Sequence, residues 1–263
     1  MKPTNQSFYE DYYRKPGWWF KYRYDTQQKV KTALYALKKS NIGLKDIGVL
    51  EIGFGSGDLL FKFGKGCSLY GVELSSHAVK NSADRARELN FRHFDFRLLN
   101  NDGSLPFKDI EIDLVIGSHV IEHIEDLDSF LDQIKRILVS NGLFLVLIPI
   151  NERYNDPKHL HHFSSEKCIR LFQENHFECI FSMENEFLNY LVEDIYWRHV
   201  EKDWNIKDNI KRIVFNFSFS RLPYTLYKFI DSLFLRFTNL KPRQAVFIFQ
   251  YNASIMGKNK ILK

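Results

Sequence analysis

The residues that could do chemistry together are three alternating glycines, Gly53, Gly55 and Gly57, with Glu51 before them and Glu73 after them. Glycines carry no side chain where a ligand must approach the backbone, and they tolerate the positive φ of a tight turn. Glu73 follows Gly57 by sixteen residues, which is enough for one helix, opened by the glycine turn, and a return strand. A carboxylate in that position can accept both hydroxyls of a ribose, so the pattern predicts a nucleoside site.

Buried strands must position these residues, and the sequence supplies them as apolar runs. One run precedes the glycines, a second ends in Glu73, and the range 143–150 is uninterrupted. Strands of a parallel sheet are covered on both faces and are therefore apolar throughout rather than alternating. Helices are predicted at about 76–89 and at about 26–39, with Asp25 as the N-cap of the second.

The spacing of the glycines decides which nucleoside fits. A dinucleotide-binding turn has the pattern G-x-G-x-x-G/A, with a small residue where this chain has Asp58. Carboxylates at positions 51 and 58 would repel a pyrophosphate, but they suit a ligand that carries an ammonium and a sulfonium group. The segment 51–57 resembles the first motif, (E/D)-x-G-x-G-x-G, of the class I S-adenosylmethionine-dependent methyltransferases, in particular the small-molecule enzymes of types 11 and 23.

Later segments resemble the same family in the same order. The segment 101–107 is similar to the family's third-strand exit, where an acidic residue binds the adenine amino group. Asp102 is the first candidate for that residue and Asn101 is the second. The segment 112–124 is similar to the fourth strand and the Glu-His stretch that follows it in these enzymes.

The elements after the fourth strand follow from apolar spacing. Residues three and four apart predict an amphipathic helix from about 127 to 138. Asn141 and Gly142 are predicted to end that helix in a left-handed conformation. Two further apolar runs, at 177–183 and 245–251, are predicted to be strands six and seven.

The resemblance implies an α/β fold with a doubly wound, seven-stranded, mostly parallel sheet of order 3-2-1-4-5-7-6. The last strand is antiparallel, and helices cover both faces. Residues 1–40 are predicted to form an aromatic lid and a helix. The Rossmann-type core comprises residues 41–183 and 244–263, and residues 184–243 are predicted to be an inserted α-helical cap.

The resemblance also implies S-adenosyl-L-methionine as the cofactor, with Glu51 and the glycines around its methionine portion, Glu73 on the ribose and Asp102 near the adenine. The full set of predicted cofactor-binding residues is Glu51, Gly53, Gly55, Gly57, Glu73, Leu74, Asn101, Asp102, Gly103, Ser118 and His119.

Catalysis by such a cofactor depends mainly on placing the acceptor in line with the methyl group. A hydroxyl acceptor also gains from a base, and His123, His159 and His162 are the candidates because they follow strands four and five. Structural roles compete with this one. His123 is expected at the start of a crossover helix, and His159 is expected to fix its own loop by hydrogen bonding to backbone.

Charge and cysteine content limit the function classes. The chain has 37 basic and 32 acidic residues, a surplus of +5 without a long basic run, so a nucleic-acid partner is unlikely on charge grounds. Cys67, Cys168 and Cys179 fit neither a zinc spacing nor a disulfide framework. The sequence therefore predicts no metal site and a reducing compartment. Without a signal peptide or a membrane span, that compartment is taken to be the cytoplasm.

The predicted insertion is rich in basic and aromatic residues over 205–243. Its segment 224–237 is predicted to be an amphipathic helix that buries its apolar face on the core. That face comprises Leu226, Phe229, Ile230, Leu233 and Phe234. The alternatives are a site for an anionic or lipid-linked acceptor, a peripheral membrane surface, or a homodimer contact.

The N-terminal segment 1–23 is dense in aromatic residues and is predicted to be a helix-free flap packed on the core. Trp18, Trp19 and Tyr22 are the expected lid residues, because their rings exclude water while offering a polar edge.

The predicted function is methyl transfer to a small molecule, with a hydroxyl of a sugar, a glycolipid precursor or a secondary metabolite as acceptor. One alternative is C-methylation of a lipid or quinone-like acceptor. A second is a non-catalytic binding partner that keeps the cofactor fold. A nicotinamide oxidoreductase is disfavoured by Asp58.

Overall fold

The structure is a computed structural model that describes residues 6–14, 24–107, 111–152, 156, 158–185, 210, 214, 217–218, 220–239 and 241–252. Its strands are β1 (Gly48–Ile52), β2 (Ser68–Glu73), β3 (Phe94–Leu98), β4 (Ile112–Ser118), β5 (Leu138–Pro149), β6 (Phe177–Asn185) and β7 (Gln244–Tyr251). Its helices are α1 (Gln6–Arg14), α2 (Tyr24–Lys39), α3 (Ser76–Glu88), α4 (Leu127–Ile137), α5 (Ser165–Glu174) and α6 (Tyr224–Phe237).

The seven strands form one sheet in the order β3-β2-β1-β4-β5-β7-β6. Strands β1 to β5 are parallel, whereas β7 is antiparallel to both of its neighbours. This confirms the predicted α/β fold, the predicted strand order and the reversed last strand. The carboxyl ends of β1 to β5 consequently meet at one edge of the sheet, which is where open α/β sheets bind ligands.

The core lies on both faces of this sheet, as the uninterrupted apolar runs require. Val49 and Leu50 are neighbours in β1, and both are fully buried, in two different apolar clusters. On one face, Phe172 of α5 stacks on Phe249 of β7 with ring centroids 3.9 Å apart and planes 5° from parallel. The aromatic contact thereby ties the closing hairpin to a covering helix.

The helix predicted after the glycine turn is only a 3-10 turn, Leu60–Lys62, and two helix boundaries also differ from the prediction. Helix α2 begins at Tyr24, so Asp25 lies inside it rather than capping it. Helix α4 ends at Ile137, and the chain continues directly into β5. Asn141 is left-handed as predicted, with φ of 63°, but it lies in an irregular part of β5, where the register opposite Ile112 shifts. Leu138 and Val139, which follow α4, therefore extend the sheet instead of the helix.

The N-terminal segment also differs, because Gln6–Arg14 is a helix and not a helix-free flap. Helix α1 stacks its own aromatic rings one turn apart, since Tyr9 and Tyr13 have ring centroids 6.5 Å apart. The predicted lid residues Trp18, Trp19 and Tyr22 lie outside the described residues, as does the range 186–209 of the predicted insertion.

Helix α6 lies where the sequence predicts it, but it turns its apolar face outward. Leu226, Phe229 and Leu233 are 44%, 59% and 37% exposed, while the side chain of Phe234 is outside the described residues. Tyr227 and Asp231 are buried instead.

Polar contacts with α2 explain which side of α6 packs inward. The Lys228 ammonium lies 4.4 Å from the ring centroid of Tyr35. Lys31 of α2 donates hydrogen bonds to the carbonyls of Ser220 and Leu222, just before α6, at 2.6 and 2.8 Å. The prediction that α6 buries its apolar face was wrong, and the contacts that α2 makes here are those of Tyr35 with Lys228 and of Lys31 with the carbonyls just before α6. Among the helices of the described ranges, none is long and apolar enough to cross a membrane.

Candidate cofactor and acceptor site

The loop after β1 has the backbone conformation that its glycines predict. Gly53, Gly55 and Gly57 all have positive φ, of 68°, 55° and 68°. A Cβ on Gly55 would lie 2.5 Å from the Tyr13 hydroxyl oxygen of α1, so a side chain here would have to displace Tyr13. The loop is therefore fixed both by its own conformation and by the helix that lies on it.

Glu73 ends β2 and connects directly to this loop. Its Oε2 accepts a hydrogen bond from the Gly55 amide at 2.8 Å, and its Oε1 accepts one from the Leu74 amide at 2.7 Å. Burial raises the pKa of Glu73, and these two amides work in the opposite direction. A carboxylate offers about four lone-pair positions, so two amides leave acceptor capacity for the hydroxyls of a ribose.

Glu51 lies under the loop and is 5% exposed. Its Oε2 has no hydrogen-bond partner within the described ranges. Burial raises its pKa well above the ordinary value, and the nearby charge of Asp58 adds to that shift. A buried carboxylate oxygen without a donor suits a cationic group such as the ammonium of a bound amino acid. The residues at this loop thus fit the methionine end of S-adenosylmethionine.

Asp58 has a different role from the one that its charge suggests. Its Oδ1 lies 3.1 Å from Arg85 Nη1 on α3, and its Oδ2 accepts a hydrogen bond from the Ser56 hydroxyl at 2.7 Å. The Asp58 carboxylate is thus compensated within the protein, and Glu51 is the carboxylate of this loop that keeps an unpartnered oxygen.

The predicted adenine-binding residues form a turn after β3. Asn101 and Asp102 are exposed, and Gly103 has φ of 79°. Asp102 Oδ1 accepts hydrogen bonds from the Ser104 amide and hydroxyl, at 2.9 and 2.6 Å. The turn is therefore ordered by Asp102 itself, and its contact with adenine stays a prediction.

The end of β4 brings Ser118 and His119 to the same edge of the sheet. His119 has φ of 55°, and its amide donates to the Leu147 carbonyl at 2.8 Å. Its Nε2 lies 2.9 Å from Nε2 of Gln244, the fully buried first residue of β7. Burial lowers the pKa of His119 well below its ordinary value, so the ring is neutral. Gln244 was missed by the sequence analysis, although a polar residue that opens an apolar strand is a detectable signal.

Two of the three predicted catalytic histidines come together beyond β4 and β5. His123 and His159 have ring centroids 4.9 Å apart, and Glu122 lies beside them. His162 stands apart, with 55% of its side chain exposed and its Nδ1 3.1 Å from Glu152 Oε2. Whether any of the three is catalytic stays a prediction.

Electrostatics differ among the members of this cluster. Burial raises the pKa of Glu122 to about 7, and burial lowers the pKa of His123. Burial is the largest single influence on His159 and opposes its charge, but the hydrogen bond with Glu152 and the charges of the nearby carboxylates together raise the pKa of His159. Glu122 was missed as a site residue, since the sequence shows the Glu-His pair but not its burial.

Helix α1 lies across this edge of the sheet. The Glu10 carboxylate accepts hydrogen bonds from the Ser75 hydroxyl and the Ser76 amide, at 2.9 and 2.8 Å, and so holds α1 on the start of α3. The Lys158 ammonium lies 4.3 Å from the ring centroid of Phe8 at the other side. Burial raises the pKa of Tyr13, and the charge of Glu73 is the second cause. Helix α1 thus contacts the glycine loop through Tyr13 and the loop after β5 through Phe8.

A sheet of this order with a glycine loop facing a carboxylate at the end of β2 is the arrangement of the class I S-adenosylmethionine-dependent methyltransferases. Residues 50–146 match the family model of the methyltransferase domain. The matched segment lies within the part of the chain where the motifs predicted this resemblance, and it covers less than half of the chain.

Curated relatives and solved structures agree with this class. The chain is 24% identical over 113 residues to a ubiquinone biosynthesis O-methyltransferase of Pelagibacter ubique, covering 43% of this chain and 46% of the relative. It is 31% identical over 104 residues to a probable S-adenosylmethionine-dependent methyltransferase of Mycolicibacterium smegmatis, covering 38% and 37%. The chain thus spans less than half the length of these two relatives.

Among solved structures, a candidate sarcosine dimethylglycine methyltransferase of Galdieria sulphuraria superposes with a TM-score of 0.56 at 14% identity, covering 86% of each chain. At this identity the likeness concerns the fold alone.

Proposed function

We propose that this protein transfers a methyl group from S-adenosylmethionine to a small molecule. The observation that carries the proposal is the hydrogen bond that joins Glu73 to the Gly55 amide, beside the unpartnered buried oxygen of Glu51. When bound, the cofactor would supply an electrophilic methyl group on a neutral leaving group. Glu73 would hold the ribose, Glu51 and the glycine loop the methionine portion, and Asp102 the adenine.

The acceptor group is proposed to be a hydroxyl, of a sugar, a glycolipid precursor or a secondary metabolite. Support comes from the histidines beyond β4 and β5, because a hydroxyl needs to lose a proton as it is methylated and an imidazole can take it. The Pelagibacter relative is named as an O-methyltransferase, which agrees with this choice. The proposed compartment is the cytoplasm, which suits three cysteines that are all unpaired.

Calorimetric titration tests the proposal. We expect S-adenosylmethionine to bind with micromolar affinity and one-to-one stoichiometry, and NADH not to bind, because the loop lacks the small third residue of a dinucleotide site. Binding of NADH in place of S-adenosylmethionine would contradict the proposal. Binding of neither ligand would also contradict it.

The exposed face of α6 favours a second candidate acceptor, a lipid or quinone-like molecule methylated at carbon. Leu226, Phe229, Leu233 and Phe237 recur at helical spacing, and all are exposed, with Phe237 at 76%. Such a stripe can enter the interface of a bilayer whose anionic headgroups attract the basic residues nearby.

Liposome sedimentation tests this lipid candidate. We expect the chain to pellet with anionic vesicles, and a variant with both Phe229→Ser and Phe237→Ser to stay in the supernatant. Wild-type protein that stays in the supernatant with anionic vesicles would remove the lipid candidate. Light scattering tests the homodimer. If the molecular mass of the wild type doubles as the protein concentration rises, and the same variant keeps the monomer mass, the stripe is a homodimer contact instead.

A further inference from the structure

We propose that Glu122, His123 and His159 form a binding site for one divalent transition-metal ion next to the acceptor position. One ligand atom from each residue lies within 4.8 Å of the other two. The three residues come from two connections, after β4 and after β5, so the fold and not the local sequence brings them together.

Glu122 gives the strongest reason to expect a cation here. Its side chain is completely buried, and neither carboxylate oxygen has a hydrogen-bond partner within the described ranges. The nearest ring nitrogen, His119 Nδ1, lies 3.4 Å from Oε1, beyond a good hydrogen bond. Burying a carboxylate without donors is costly, and such groups are found paired or coordinating a metal. A cation bound to Glu122 would remove that cost.

The two histidine rings are oriented as metal-binding histidines are. His123 Nδ1 lies 2.9 Å from the Lys158 carbonyl oxygen, and His159 Nδ1 lies 2.5 Å from Glu152 Oε1. In the neutral tautomer that these acceptors favour, each Nδ1 carries the hydrogen and each Nε2 keeps its lone pair for a metal ion. A backbone carbonyl or a carboxylate behind the ring is the usual support of a histidine ligand, and it fixes the tautomer.

The donor set indicates the kind of metal. Two imidazoles and one carboxylate suit zinc, iron(II), cobalt or manganese better than magnesium or calcium, which prefer oxygen ligands only. Three protein ligands leave positions open for water or a substrate. Asp156 Oδ2, 3.9 Å from His159 Nε2, is close enough to provide a further oxygen with a small movement. The sequence analysis predicted no metal because it considered cysteine spacing and not buried carboxylates beside histidines.

The role of the metal ion rests on the proposed function. An acceptor hydroxyl bound to a divalent cation becomes more acidic, as bound water does. Its O–H bond would break with the proton passing to water, an oxygen lone pair would form the new O–C bond, and the C–S electron pair would remain on sulfur. His123 and His159 would then be ligands, and the metal ion rather than an imidazole would activate the acceptor hydroxyl.

Titration of tag-free, chelator-treated protein with Co²⁺ tests the site, with visible absorption as one readout and calorimetry with Zn²⁺ as the second. We expect one equivalent to bind. His123→Ala and His159→Ala should remove the absorption band, and Glu122→Gln should do the same. Glu152→Gln should weaken binding about 10- to 100-fold, since it removes only the support behind His159. His93→Ala is the matched control, because His93 is exposed and lies before β3.

The outcomes separate this proposal from the proposed function. Stoichiometric Co²⁺ binding that the His123 and His159 variants lose, with His93→Ala unchanged, supports the site. No binding by the wild type, or equal binding by all the variants, overturns it. Titration of the same samples with S-adenosylmethionine shows whether each variant is folded. Cofactor binding without metal binding leaves methyl transfer standing and removes only the metal site.

Discussion

Glu73→Ala is expected to weaken the binding of S-adenosylmethionine by at least about tenfold. The ribose diol would donate two hydrogen bonds to this carboxylate, and each bond to a charged group contributes about 1.5–3 kcal/mol. A loss of about 1.4 kcal/mol already corresponds to tenfold. Calorimetric titration at one temperature and salt concentration measures the change.

Glu88→Ala is the matched control, since Glu88 is an exposed glutamate at the end of α3 and its removal changes the net charge equally. Glu73→Gln should fall between the wild type and Glu73→Ala, because an amide oxygen can still accept one hydroxyl. Because Glu73 also accepts the Gly55 and Leu74 amides, thermal unfolding of each variant must be followed in parallel. Equal affinity for a folded Glu73→Ala protein would show that this carboxylate does not hold the ribose.

Phe172→Ala is expected to reduce the free energy of unfolding by about 3–5 kcal/mol. Phe172 is fully buried and stacks on Phe249 at 3.9 Å, with Phe144 and Phe177 at 5.5 Å. Its removal would leave a cavity among aromatic rings that cannot collapse easily. Urea unfolding followed by circular dichroism measures the loss.

Phe229→Ala is the matched control for that loss, since it deletes the same atoms from a residue that is 59% exposed. We expect a change within about 0.5 kcal/mol. A large destabilisation by Phe229→Ala would mean that the outer face of α6 is covered in solution. A small effect of Phe172→Ala would contradict the aromatic core between α5 and β7.

Most of the fold could be predicted because parallel strands buried on both faces have uninterrupted apolar sequences, as β5 has from Leu143 onward. The cofactor half of the site was predictable for a related reason. A glycine that must have positive φ and a carboxylate that must end a strand leave direct traces in the sequence, as Gly55 and Glu73 do.

Other features could not be predicted, because they depend on partners distant in the chain. An amphipathic pattern shows which face of α6 is apolar, but Tyr35 and Lys31 of α2 decide which face packs inward. The meeting of Glu122 with His159 depends on the path of two loops. The hydrogen-bond partner of His123 Nδ1 is the backbone carbonyl of Lys158, and a backbone group leaves no signal in the sequence.

The contact between α1 and the glycine loop has a kinetic consequence. The Tyr13 hydroxyl stands where any atom added to Gly55 would collide, so a molecule that contacts this backbone must share the space with Tyr13 or displace it. Exchange of spent for fresh cofactor would then require α1 to lift, which breaks the contacts of Glu10 with Ser75 and Ser76. Wherever this opening is slower than the bond-making step, it sets the turnover rate.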